Sequence, residues 1–290
     1  MKLHLVGYAS GVGGVDIHTG DGPTAIKQSP HMLTLQDFYQ WDAMIHPPVL
    51  PSHSIADRIH DLSMRSAKVV SALTHQQQFF TVIGGDHTSA IGTWSGVYDA
   101  LHDKGDIGLI WIDAHMDSHT PHTSATGRIH GMPLACLLGH GYDSLTQILH
   151  ASPKIKPANL CLIGTRSYEQ GEAELLARLN VRIYFIEEVR ERGFAAVLRE
   201  AIQHVSKHTI GYGVSLDMDA IDTLDAPAVD VPEPDGIEGQ AVLAGLAEMA
   251  HDAKFVGMEM VEFDPYRDDH QTTEKLMVSF LEAVRMSRKK

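Results

Sequence analysis

The sequence predicts an α/β fold, a single domain in which helices cover both faces of a mostly parallel sheet. Three observations predict it. Seven short runs rich in Val, Ile and Leu recur along the chain, most of them continuously apolar, as in strands buried on both faces. Helical patterns lie between them, and strand-helix alternation signals parallel crossover connections. No Gly-, Ser- or Pro-rich linker and no repeat period divides the 290 residues, so residues 1–290 read as one domain, although length alone would allow about two.

The predicted strands are residues 3–6, 79–83, 107–112, 160–163, 181–186, 210–216 and 254–258. The longest helical pattern, residues 54–78, places Ile55, Ile59, Leu62, Val69, Val70 and Leu73 at mixed spacings of three and four. Residues 173–179, 195–205, 240–250 and 272–284 repeat that pattern, the last with Leu276, Met277, Phe280, Leu281 and Val284 on one face. Three segments read as loops: 11–51, 117–133 and 222–239. The last two directly follow acidic residues at strand ends, where open α/β sheets place their ligands. The terminal RMSRKK reads as a frayed, solvated end. Gly11, Gly13 and Gly14 lack the last glycine of a dinucleotide fingerprint, because Asp16 stands there, and read as a turn or binding loop.

Composition narrows the class of function. The chain carries 37 acidic residues against 23 Lys plus Arg, a formal charge of −14, which disfavours nucleic acid and anionic membranes as partners. Two cysteines, Cys136 and Cys161, are too few for a disulfide framework and read as inert core. There is no apolar run of about 18 residues and no signal-peptide pattern at the start, so a cytoplasmic, soluble protein is expected.

The chemistry-bearing residues sit at three strand ends. IWIDAHMD delivers Asp113, His115 and Asp117 at i, i+2, i+4; GYGVSLDMD delivers Asp217 and Asp219; FTVIGGDH delivers Asp86 and His87. An extended backbone would send each spaced set out of one face. Clustered carboxylates are costly to bury without a counter-charge, and none of the three segments holds Lys or Arg. A metal site follows. Asp113, Asp117, Asp217 and Asp219 balance two divalent ions, with His87 and His115 as neutral ligands. Oxygen and imidazole donors without thiolates favour Mn²⁺, with Fe²⁺, Co²⁺ or Zn²⁺ as alternatives.

These motifs resemble those of the ureohydrolase family, which comprises arginase, agmatinase and formiminoglutamase. GGDHT from Gly84, DAHMD from Asp113, SLDMDAID from Ser215 and EFDP from Glu262 carry the resemblance across most of the chain. The run from His119 to Ala135, HTPHTSATGRIHGMPLA, looks most like arginases. The resemblance implies a three-layer α/β/α sandwich with an eight-stranded sheet and a trimer or hexamer. It implies that His87, Asp113, Asp117 and Asp217 hold one manganese and His115, Asp113, Asp217 and Asp219 the other. A metal-activated water would attack a guanidino carbon, with Asp117 relaying its proton, His130 shuttling protons and Glu262 pairing with the guanidinium. The implied reaction is L-arginine to L-ornithine and urea.

Departures cluster where the amino-acid end of the substrate would lie. His119 and Arg128 stand where arginases have asparagines, Thr126 where they have serine, Glu169 where they have aspartate, and Glu172 matches a second acid. Val231 replaces a threonine. Arg128 can clamp a carboxylate, so formiminoglutamate or a guanidino acid is the alternative substrate, agmatine ranks lower, and a non-catalytic metal-binding scaffold is the reading from another class.

Overall fold

The computed structural model describes residues 2–47 and 53–288. Eight strands form one sheet: β1 (Leu3–Tyr8), β2 (Tyr39–Ile45), β3 (Phe80–Gly84), β4 (Ile107–Ile112), β5 (Leu160–Thr165), β6 (Arg182–Phe185), β7 (Gly211–Asp217) and β8 (Phe255–Val261). Their order is β2-β1-β3-β8-β7-β4-β5-β6, and every neighbouring pair is parallel. The helices are α1 (Gly22–Gln28), α2 (Pro30–Leu33), α3 (Ile55–His75), α4 (Ser89–Leu101), α5 (Pro133–Leu137), α6 (Asp143–Thr146), α7 (Gln170–Arg178), α8 (Ile186–Arg192), α9 (Phe194–Ser206), α10 (Gly239–Met249) and α11 (Thr272–Ser287).

Alternating side chains feed two cores, one on each face. Leu109 and Trp111 of β4 join Leu62 and Val70 of α3 and Trp94 and Val97 of α4. Ile110 and Ile112 point the other way, towards Val197 and Leu198 of α9, Leu246 of α10 and Phe280 of α11. All six β4 residues are therefore buried, which is why the inner strands read as unbroken apolar runs. Ser54 caps α3 through a reciprocal box with Asp57.

β2 lies inside a segment expected to be loop, so the sheet has eight strands where the residues alone suggested seven. It is an edge strand whose Gln40 and Asp42 face outward between buried Tyr39 and Ile45. A search for continuous apolar runs misses such an edge. Helix α4 carries no readable stripe in the sequence, because it is buried almost all round and Gly92 and Gly96 interrupt it. Both glycines face α3: a Cβ on Gly96 would lie 2.4 Å from the Ala67 carbonyl oxygen.

Residues 285–288 of the terminal RMSRKK correct another expectation, while 289 and 290 lie outside the described residues. Helix α11 continues through Ser287, Arg285 is buried, and its guanidinium lies 4.2 Å above the ring centroid of Phe38. Arg288 covers Phe79 and donates to the Phe255 carbonyl. Cys136 and Cys161 are buried free thiols, as expected. Among the described residues no helix is long and apolar enough to cross a membrane.

Candidate active site

The four neighbouring strands β3, β8, β7 and β4 end side by side, and the chain beyond β4, β5, β7 and β8 lines one cavity of about 300 Å³. After β3, Gly85 passes so close to the Ser10 carbonyl that a Cβ would meet its oxygen at 2.1 Å. This close approach turns Asp86 inward, where it accepts the Gly13 and Thr88 N–H groups. Asp86 is thus a loop tether, and the glycine-rich turn serves the site by holding it. The Gly13 carbonyl also accepts the His130 N–H.

The His87 imidazole lies flat on Trp111, 4.2 Å between centroids and 9° between planes. Its Nε2 is 2.8 Å from Ser215 Oγ. Its Nδ1 faces carboxylate oxygens of Asp117, Asp217 and Asp113 at 2.9, 3.0 and 3.3 Å, yet makes no hydrogen bond of acceptable geometry. Asp113 is held by Trp111 Nε1 at 2.8 Å and by the His115 N–H at 2.6 Å. His115 Nδ1 lies 3.0 Å from Asp219 Oδ2 and 3.6 Å from Asp113 Oδ1.

The six residues do converge, though not by an extended backbone. β4 ends at Ile112, and Asp117 adopts a left-handed backbone with φ 48°. Asp217 ends β7 and a 3-10 turn, Met218–Ala220, brings Asp219 back so that its N–H meets Asp217 Oδ1 at 2.9 Å. A left-handed backbone at a non-glycine residue is uncommon and clusters at functional positions.

The electrostatics of the cluster call for cations. Burial, then the charges of Asp219 and Asp113, push Asp217 well above the usual carboxylate range. Asp219 and Asp117 are raised by burial and by neighbouring carboxylates. Burial opposes charge on His87 and His115, but their carboxylate neighbours outweigh it and raise both. Shifts in these directions mark carboxylates that are short of positive counter-charge. An orphaned imidazole nitrogen aimed at three carboxylate oxygens, with donors of His87, Asp113 and Asp117 all within 4.8 Å, fits a divalent ion. Asp113, His115 and Asp219 form a second such group.

On the other wall, Glu262 also has a left-handed backbone, φ 66°. Its Oε1 accepts the His87 N–H at 2.8 Å and lies 3.2 Å from His130 Nδ1. Its buried Oε2 has no partner. Burial raises Glu262 to about 7 against the pull of His130. Burial disfavours the His130 cation, but Glu262 dominates and pushes that imidazole up to about 9.

The residues expected at the amino-acid end all line the same cavity. Thr126 and Arg128 lie on its exposed rim; the Arg128 guanidinium has no carboxylate within ion-pair distance among the described residues. His119 Nε2 lies 2.5 Å from Glu169 Oε2 and 3.4 Å from Glu172 Oε2. Glu172 is buried and also accepts the Ser118 and Glu169 N–H groups, closing the start of α7. Val231 also lines the wall.

Sequence reasoning missed the supports. Ser215 stands two residues before Asp217 on β7, and Trp111 two residues before Asp113, which directly follows the end of β4, so the parity of the strands places both beneath the cluster. Arg166 supplies the positive charge not seen in the three motifs. Its guanidinium donates to the carbonyls of Asp219 and Glu233 at 2.7 and 2.8 Å, tying the 222–239 loop to the cluster. Nothing local in the sequence marks it.

Comparison with known proteins agrees with this geometry. Residues 5–286 match the Arginase family. An arginase from Brevibacillus brevis is 40% identical over 237 residues, 80% of this chain and 77% of that protein. The crystal structure of arginase from Bacillus subtilis superposes with a TM-score of 0.88 at 31% identity, covering 98% of each chain. A formimidoylglutamase structure from Bacillus subtilis shares the fold, with a TM-score of 0.80 at 22% identity over 100% of this chain and 88% of that one. A sheet of this order, a cluster at these strand ends and a match from end to end have one explanation: the chain belongs to the arginase family.

Proposed function

We propose that this protein hydrolyses the guanidino group of L-arginine to L-ornithine and urea at a pair of divalent metal ions. Family membership makes it a hydrolase of a guanidino C–N bond. The observation that carries the finer reading is the pairing of the orphaned His87 Nδ1, which faces Asp113 and the cavity-lining Asp117 and Asp217, with the orphaned Oε2 of Glu262 on the same cavity wall. One is built for cations; the other is a carboxylate oxygen left bare for a planar cation.

His87, Asp113, Asp117 and Asp217 would hold one ion, and His115, Asp113, Asp217 and Asp219 the other. Two such ions, when bound, acidify a water towards neutral pH and offset the negative charge that builds at the attacked carbon. The rest is done by side chains. Glu262 Oε2 accepts from the guanidinium and orients its plane, while Oε1 stays tethered to the His87 N–H. Asp117, fixed in its strained turn, accepts the proton of the attacking water and passes it towards the departing nitrogen. His130, part-buried beside Glu262, exchanges protons between that nitrogen and solvent. Thr126 and Arg128 meet the α-carboxylate, and Glu169 and Glu172 the α-ammonium.

One observation favours a second substrate. Arg128 stands at the rim with no ion pair among the described residues, while His119 already shares Glu169 and Glu172. A guanidino acid without the α-amine, or formiminoglutamate, would use the cation and need neither acid. Manganese, a cytoplasmic location and a trimer or hexamer complete the proposal; the first is supported by the donor set and the family resemblance, the second by the signals read in the sequence, and the third by the resemblance alone.

The test is product release by the Mn²⁺-loaded protein offered arginine, agmatine, guanidinobutyrate and guanidinopropionate, with formiminoglutamate assayed for formamide. Equimolar urea and ornithine from arginine, at the highest kcat/KM of the set, is the expected result. Silence on arginine with turnover of another compound would transfer the specificity to that compound.

A further inference from the structure

We propose that Glu259 is a positioning residue for the metal pair, acting on His87 through Ser215; the inference rests on the two-ion reading of the site. Glu259 is wholly buried in β8. Cα register places it beside Ser215 of β7, which in turn sits beside Trp111 of β4. Adjacent strands lie about 4.8 Å apart, so these three side chains form a row beneath the His87 ring. Trp111 supports the ring face and Ser215 meets its Nε2.

Counting hydrogens fixes the direction of the chain. Glu259 Oε1 accepts from Ser215 Oγ at 2.7 Å and from Trp94 Nε1 at 2.6 Å. As a carboxylate, Glu259 can only accept, so both of these donors end on Oε1. Ser215 has a single hydroxyl hydrogen, and Glu259 takes it. The 2.8 Å contact between Ser215 Oγ and His87 Nε2 must then be donated by the imidazole. Nδ1 is left with its lone pair, pointing at Asp113, Asp117 and Asp217, as a metal ligand requires.

The surroundings are arranged to keep Glu259 in this role. Trp94 reaches Oε1 only because residue 213 is glycine: a Cβ there would lie 2.0 Å from the indole. Ser89 Oγ lies 3.3 Å from Oε2 and serves the other oxygen. A carboxyl group buried beside Val82 is costly without such donors, and packing alone gives no reason for one.

The experiment is Mn²⁺ binding to the metal-free protein by equilibrium dialysis, with melting of the metal-free variants alongside. The parent is expected to bind two ions. Glu259→Met should weaken one of the two sites by about tenfold or more and leave the other near parental. Glu259→Gln, whose amide oxygen can replace Oε1, should recover most of that loss. Ser215→Ala should weaken the same site, and adding Glu259→Met to it should cost nothing further. Two parental sites in Glu259→Met, equal weakening of both sites with a lowered metal-free Tm, or a Gln variant as impaired as Met would each overturn the proposal. If Glu259→Met does not fold, parental binding by Ser215→Ala overturns it. A parent binding fewer than two ions overturns the two-ion reading and this inference with it.

Discussion

Glu262 shows how one side chain serves two tasks: Oε1 is tethered by the His87 N–H and His130, and Oε2 is left bare. Glu262→Gln keeps the shape but loses the ion pair with a guanidinium, so kcat/KM should fall by about a hundredfold, on the scale of a lost charge-assisted pair; urea release kinetics check it. His130 makes a prediction about pH. Its folded pKa of about 9 exceeds the usual 6.5, so its contribution to stability is full below 6.5 and is lost as pH rises through 9. Glu262, raised from 4.5 to about 7, also binds more protons when folded, and its contribution is lost as pH rises through 7. Melting of metal-free His130→Asn should therefore fall less steeply between pH 6.5 and 9 than that of the parent; identical slopes would contradict the pairing. At the rim, Arg128→Ala should raise KM for a carboxylate-bearing substrate with little change in kcat, since the contact is equal in ground and transition states. The convergence of His87, Asp113, His115, Asp117, Asp217 and Asp219 was legible because carboxylates and imidazoles at the ends of apolar strands are expensive without a purpose. Glu259 was not: the apolar run that predicts the strand stops at Met258, whereas β8 runs on through Glu259 to Val261.

At the scale of elements, long apolar strands and the amphipathic α3, α9 and α11 were readable because burial on both faces or on one stripe imposes a period. Elements with another reason to exist escaped. β2 pairs only with β1 at the sheet edge and keeps polar residues on its outer side. α4 is buried almost all round, so it has no polar stripe, and its glycines are there for contact with α3. Gly96→Val should test that contact. The added side chain meets the Ala67 carbonyl and Val70, so overpacking of about 1–3 kcal/mol is expected, read as a lower Tm. An unchanged Tm would mean that the two helices separate without cost. The turns after β4 and β7 show the limit of periodicity: spacing of two identified the right residues, but left-handed and 3-10 backbone, not an extended strand, brings them together.

At the scale of the whole molecule, a chain of charge −14 gathers its costliest carboxylates where four adjacent parallel strands end. The other acids are mostly exposed or held in caps and ion pairs. Divalent ions should thus act as part of the folded structure. At a free concentration one hundred times the dissociation constant, an ion that binds only the folded state stabilises it by about 2.7 kcal/mol, so chelation should lower Tm and Mn²⁺ should restore it. The most direct measurement titrates the metal-free protein with Mn²⁺ while ions bound and urea released from arginine are followed together. Two ions per chain, with urea release rising as the second is taken up, is the expected result. Two ions bound without hydrolysis of arginine or any other guanidino compound, or full hydrolysis with no metal present, would contradict it.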